Sequence, residues 1–200
     1  MKILVAGATG NTGTRLVNEL IERGHEPVAL VRSSSDTSEL PAGVEKRLGD
    51  LSDLQDGVTR GCEVVVFAAG SGGDTDEAMT DRIDRDGAIA LIEQSEAGDV
   101  RRFVMLSSVG ADQSDPQGEL AHYLKAKHAA DERLMKSSLD YAILRPVSLT
   151  DDGPSGNVLL GNDVDPAGKA ARGDVAVVLA DAALHDDWAG RVELMETRSA

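Results

Sequence analysis

Tyr123 and Lys127 are the first pair in this chain equipped for chemistry. They stand four residues apart in a stretch, Glu119–Ser137, that reads as a long helix, so they share one face of it. An ammonium beside a phenol lowers the phenol's pKa from its ordinary value of about 10. Tyr123 then becomes a usable acid for protonating a carbonyl oxygen as a hydride arrives at the carbon. Ser107 and Ser108 close an apolar run one strand-to-helix step earlier, and a hydroxyl there can polarise the same oxygen. Tyrosine and lysine at this spacing also occur on ordinary exposed helices, so it is the serine pair that makes them candidates for catalysis.

A second constellation lies near the N-terminus. Gly7-Ala8-Thr9-Gly10-Asn11-Thr12-Gly13 directly follows the apolar run Lys2–Ala6 and opens a helix. Glycines in such a turn allow a tight bend, a close backbone approach to phosphate and close packing of helix on strand. The helix N-terminus adds free N–H groups and a partial positive charge for a pyrophosphate. Gly7, Thr9, Gly10, Asn11, Thr12 and Gly13 are therefore candidate dinucleotide-binding residues. Their spacing differs from the G-x-G-x-x-G of many dehydrogenases.

The end of the second strand should set the cofactor's identity. An acid there usually accepts from a ribose 2′-hydroxyl. This chain has Leu30-Val31-Arg32-Ser33-Ser34 instead, and the nearest acid, Asp36, falls in the loop beyond. Arg32 can pair with a 2′-phosphate while Ser33 and Ser34 donate to it. NADP(H) is expected over NAD(H).

These residues need a scaffold that carries them to one edge. Strands are expected at Lys2–Ala6, Pro27–Val31, Val44–Leu48, Glu63–Ala69, Arg102–Ser107, Tyr141–Leu144 and Arg191–Met195. Helices are expected at Thr12–Arg23, Leu54–Arg60, Glu77–Glu96, Glu119–Ser137 and Asp174–His185, the last with Asp174 as N-cap. Along the first helix, Leu16, Val17, Leu20 and Ile21 recur at helical spacing. Alternation of this kind means βαβ units, and hence an α/β fold: a Rossmann-type doubly wound parallel sheet in three α/β/α layers. A single domain over residues 1–200 is expected, with a small substrate-side segment from about 147 to the end. Thr150–Arg172, rich in Gly, Asp and Pro, reads as the loosest stretch.

With these motifs in order, the chain resembles an atypical short-chain dehydrogenase/reductase, near the NmrA-like and flavin reductase/biliverdin-IXβ reductase-like proteins. The matching segments are Gly7–Gly13, Leu48–Leu51, Phe67–Gly70, Val104–Gly110, Tyr123–Lys127, Leu139–Pro146 and Arg172–Ala176. The resemblance implies that Asp50 and Leu51 hold the adenine and that Ala68, Ala69 and Gly70 line the cofactor, with Ser107 beside it. It implies Ser108 as the catalytic serine, completing a set with Tyr123 and Lys127, whose ammonium should also reach the nicotinamide ribose. Arg145, Pro146 and Val147 would pass the nicotinamide. Some proteins of this group lack the tyrosine and reduce flavins by positioning alone, and others only sense NADP. The implied activity is hydride transfer to a small carbonyl, quinone or flavin-like acceptor, with an NADPH/NADP-sensing module without turnover as the alternative. Only 54 residues follow Pro146, which argues against a nucleotide-sugar pocket of the epimerase kind.

Composition narrows the partners. The net charge is −15, with 22 Asp and 13 Glu against 14 Arg and 6 Lys. Such a surface repels nucleic acid and anionic membranes, leaving a small molecule as the expected partner of a monomer or homodimer. Dense carboxylates and scarce lysine also suit a salt-adapted protein, because salt screens the self-repulsion. No apolar run reaches the ~18 residues of a membrane helix, no leader pattern opens the chain, and Cys62 is the lone cysteine, so a cytoplasmic location is expected. His25, His122, His128 and His185 lack ligand spacing and no metal is expected. His122, beside Tyr123, is an alternative proton donor or an ordinary surface histidine.

Overall fold

Side chains of successive strand residues point to opposite faces of a sheet, and the first strand, β1 (Lys2–Ala6), shows what that does here. Ile3 and Val5 enter one apolar core, Leu4 and Ala6 the other. The computed structural model describes residues 1–72 and 76–198. After β1 come α1 (Asn11–Glu22), β2 (Glu26–Val31), β3 (Glu45–Leu48), β4 (Val64–Phe67), α2 (Glu77–Thr80), α3 (Ala88–Ala97) and β5 (Arg102–Leu106). They are followed by α4 (Ala121–Met135), β6 (Asp140–Pro146), β7 (Ser148–Thr150), β8 (Val158–Leu160), β9 (Lys169–Ala171), α5 (Arg172–Leu184) and β10 (Arg191–Thr197).

The main sheet has the order β3-β2-β1-β4-β5-β6-β10-β8, parallel throughout except for the antiparallel pairing of β8 with β10. Helices α1 and α5 pack together over one face, where Leu16, Val17 and Leu20 meet Val175 and Leu179. Leu91 and Ile92 of α3 and Leu134 of α4 cover the other. The result is the expected doubly wound α/β/α Rossmann-type domain. Chain order reverses between β1 and β4, so the connections leaving their carboxyl ends diverge and open a crevice, the usual ligand position in open α/β sheets. No helix among the described residues is long and apolar enough to cross a membrane.

Five local expectations are corrected. Leu54–Arg60 forms turns rather than a helix, interrupted by Gly57 in a left-handed conformation (φ +84°). The helix expected over Glu77–Glu96 is α2 and α3 joined by a π-helical segment, Asp81–Gly87. Asp174 is not an N-cap: α5 starts at Arg172 after Ala171. Asp174 instead accepts hydrogen bonds from the Ser155 and Gly156 amides and the Ser155 and Thr197 hydroxyls. Those bonds tie down the stretch expected to be loosest, which contributes β8 and β9. Ile21 is partly exposed, at 39%, because α1 turns only Leu16, Val17 and Leu20 fully inward.

Residues 147–198 supply β7 to β10 and α5 to the body of the domain, and two of them, Leu149 and Arg172, reach the crevice.

Candidate active site

The crevice consists of two adjoining clefts of about 550 and 470 Å³ that share Gly10 and the floor Ala68–Ser71. The smaller is walled by Gly7, Thr9, Arg32, Asp50 and Leu51, and the larger by Asn11, Thr12, Ser107, Tyr123 and Lys127.

The turn between β1 and α1 uses its three glycines for different reasons. A Cβ on Gly13 would sit 2.0 Å from the Gly7 carbonyl oxygen, and one on Gly7 would sit 2.6 Å from the Ala69 nitrogen. Gly7 also has φ +82°, where a side chain is strained. Both positions are closed by backbone. Gly10 is different: its amide donates to the Gly7 carbonyl at 3.0 Å, and an added Cβ would meet that oxygen only at 3.3 Å, so the open side faces the cleft. Helix α1 starts there with no side-chain cap and no acid in its first turn. An N-terminus with no capping side chain and no acid of its own in the first turn fits a phosphate. The residues present therefore fit a dinucleotide's pyrophosphate.

At the far end of the smaller cleft, exposed Arg32 lies beside Ser35, whose hydroxyl accepts from the Arg32 amide at 3.0 Å. Asp50 is turned onto its own loop, accepting from the Ser52 amide and hydroxyl, and these bonds hold its carboxyl below the usual range. The loop is backed by Gly87, where a Cβ would come within 2.6 Å of the Leu51 carbonyl oxygen.

Buried charge supports the larger cleft. Lys127 is 2% exposed and its ammonium lies 3.0 Å from Asp84, which is 0% exposed. It also donates to the Leu106 carbonyl at 3.3 Å and is 3.5 Å from that of Ala69. Burial works against the ammonium, but Tyr123, Asp84 and Asp131 outweigh it and hold Lys127 above the ordinary lysine value. Three acceptors surround its ammonium, the Asp84 carboxylate and these two carbonyls, while Lys127 still lines the larger cleft. What it offers the cleft is a fixed positive charge 5.7 Å from the centre of the Tyr123 ring. The other oxygen of Asp84 accepts from the Ser71 amide at 2.9 Å, so one carboxylate fixes both the lysine and the shared floor.

Beside it lies a second buried pair. Asp131 (0% exposed) accepts from Arg145 Nε and Nη2, both at 3.0 Å, and from the Ser107 hydroxyl at 2.8 Å. Burial pushes the Asp131 carboxyl up, against the pull of Arg145 and Ser107. A serine hydroxyl carries one proton. Ser107 commits that proton to Asp131 and turns lone pairs toward the cleft, which makes it an acceptor there.

Of the remaining sequence candidates, Ser108 donates to the Val109 carbonyl at 3.3 Å, and neither it nor Ser33, Gly13, Pro146 or Val147 lines either cleft. Gly13 acts from behind, as packing. Sequence reasoning missed Asp84, Asp131 and Ser35. Asp131 carried a signal, since it follows Lys127 by four residues on the same helical face. His122 lines the larger cleft with Nε2 2.9 Å from Asp81.

A family model described as NAD(P)H-binding matches residues 7–186. A sugar epimerase of Bacillus subtilis, named as uncharacterized, is 35% identical over 182 residues, covering 88% of this chain and 85% of that protein. A solved structure from Bacillus halodurans, provisionally named an NAD-dependent epimerase/dehydratase, is 33% identical with a TM-score of 0.92, covering 100% of this chain and 95% of that one. The oxidoreductase ylbE of Lactococcus lactis is 28% identical with a TM-score of 0.86, covering 100% and 92%.

Proposed function

The chain belongs to the NAD(P)H-binding family, an atypical relative of the short-chain dehydrogenase/reductases, and from that membership we propose that it is an NADP(H)-dependent reductase of a small carbonyl, quinone or flavin-like acceptor. The observation that carries this reading is the shared floor Ala68–Ser71, which lines both the cleft that includes Gly7 and Thr9 and the cleft that includes Tyr123, with Gly10 of the glycine turn common to the two. A dinucleotide laid across that floor brings its redox end to the only tyrosine lining the described clefts.

The bound nicotinamide would supply the hydride. Tyr123 donates its phenolic proton to the substrate oxygen, so the carbonyl becomes an alcohol as the cofactor is oxidised. Lys127, held by Asp84, keeps a positive charge 5.7 Å from the centre of the Tyr123 ring. Ser107 accepts from an N–H or O–H group of whatever lies in the cleft. Arg32 and Ser35 favour a 2′-phosphate, hence NADP(H) over NAD(H). The epimerase names of two relatives do not change the reading, because residues 147–198 go largely into the sheet and α5 rather than into a cap for a sugar nucleotide. The strongly acidic surface fits work in a salt-rich cytoplasm.

A screen of carbonyls, quinones and flavins with NADPH, run on wild type and Tyr123→Phe together, tests this. Phe keeps the ring and removes the proton, so turnover should fall roughly 10²–10⁴-fold at nearly constant cofactor affinity. Activity that survives the substitution overturns the role of Tyr123 and leaves cofactor binding standing. A sensor would show no turnover in either protein.

A further inference from the structure

A dinucleotide brings two negative charges on its pyrophosphate into a protein whose own net charge is −15. The larger cleft holds two acids at its rim, Glu77 and Glu119, and two permanent cations, Lys127 and Arg172. Lys127 is committed to Asp84 beneath the floor. Arg172, at the start of α5, lines the cleft together with Gly10, Asn11 and Thr12, where the phosphates are expected.

Its present partner is Asp151, at 2.9 Å from Nη1. The same carboxylate oxygen lies 3.4 Å from the Asn11 side-chain amide, and the Asp151 carbonyl accepts from Arg15 at 2.9 Å. One acidic residue thus occupies three donors grouped around the N-terminus of α1. Arg172 is 23% exposed and Asp151 71%. An ion pair with so open a carboxylate is screened and weak, whereas a guanidinium matches a phosphate in both charge and shape.

We propose that Arg172 is a ligand of the cofactor pyrophosphate, and that Asp151 is its stand-in partner, displaced with Asn11 when a dinucleotide binds. This rests on the dinucleotide-binding reading and adds to it a residue from the far end of the chain, reaching the turn from α5. It also makes Asp151 a competitor: its carboxylate opposes binding by holding the cation the phosphates need.

The test is a fluorescence titration of NADPH and NADH against wild type, Arg172→Gln, Asp151→Asn and the double variant, with thermal melts to confirm folding. Arg172→Gln should weaken both cofactors alike, roughly tenfold or more, because the pyrophosphate is common to them. Asp151→Asn should tighten both severalfold in the wild-type background and do nothing in the Arg172→Gln background. Wild-type affinity in Arg172→Gln overturns the proposal, and so does an Asp151→Asn effect of equal size in both backgrounds, which would be a long-range charge effect. If Arg172→Gln fails to fold, Asp151→Asn decides alone, and unchanged affinity there overturns it. A wild type that binds neither cofactor defeats the underlying functional reading as well; wild-type binding that survives Arg172→Gln defeats this proposal only.

Discussion

The two clefts that meet over Ala68–Ser71 are built from different materials. The smaller leans on glycine-rich backbone, with Gly7 and Gly10 from one turn and the Gly49–Leu51 loop, beside exposed Arg32 and the side chains of Leu30, Met79 and Ile83. The larger is side chains drawn from α4, the end of β5, the end of β7 and the start of α5, standing on charges that water does not reach. A backbone cleft depends on what cannot be added to it. A side-chain cleft depends on partners that cannot be removed. The two should therefore fail differently under substitution.

The sharpest contrast comes from the turn. Gly13→Val forces a branched side chain into the Gly7 carbonyl, so dinucleotide binding should vanish and the thermal midpoint should drop. Gly10→Val meets the same oxygen far less closely and fills the phosphate side instead, so it should fold and lose binding. A folded Gly10→Val protein with wild-type affinity would mean that the turn does not receive a pyrophosphate.

Removing a partner in the larger cleft should cost stability first. Lys127→Met leaves Asp84 fully buried and unpaired, a loss of about 3–5 kcal/mol by urea unfolding. Adding Asp84→Asn should recover much of it, because the uncompensated charge goes too. If Lys127→Met alone unfolds like wild type, the buried pair is not what supports this cleft.

Arg32→Glu acts at the surface of the smaller cleft and should leave stability almost unchanged. NADPH affinity should fall roughly tenfold or more beyond any loss of NADH affinity. Equal loss of both would place the arginine away from the 2′-phosphate. The mildest effect belongs to the surface common to both clefts: with a net charge of −15, the thermal midpoint should rise by a few degrees between low and molar KCl as repulsion is screened. A flat or falling midpoint would remove salt adaptation from the account.

Much of this molecule was legible beforehand. Apolar runs gave seven strands to within a few residues, and the glycine turn announced the crevice, because both depend on neighbours close in sequence. The misplaced elements failed for local reasons that tertiary contacts overruled. Leu54–Arg60 had helical apolar spacing but yields to turns at Gly57 and to Arg47, whose guanidinium donates to the carbonyls of Val58 and Arg60. Asp174 looked like a cap and is instead an anchor for a loop some twenty residues before it.

Sequence alone determined the strand order's raw material, the phosphate-ready turn, the acidic surface and the presence of Tyr123 and Lys127 on one helical face. Each of those follows from residue type and short spacing. Tertiary structure alone decided what Lys127 does with its charge, because its partner Asp84 lies 43 residues away on a π-helical segment whose altered phase no 3.6-residue pattern reveals. It also decided that Ser107 rather than Ser108 faces the cleft, since a one-residue difference at a strand end turns a side chain to the opposite face. And it brought Arg172 to the turn between β1 and α1, a meeting of α5 with α1 set by the apolar faces those two helices bury together.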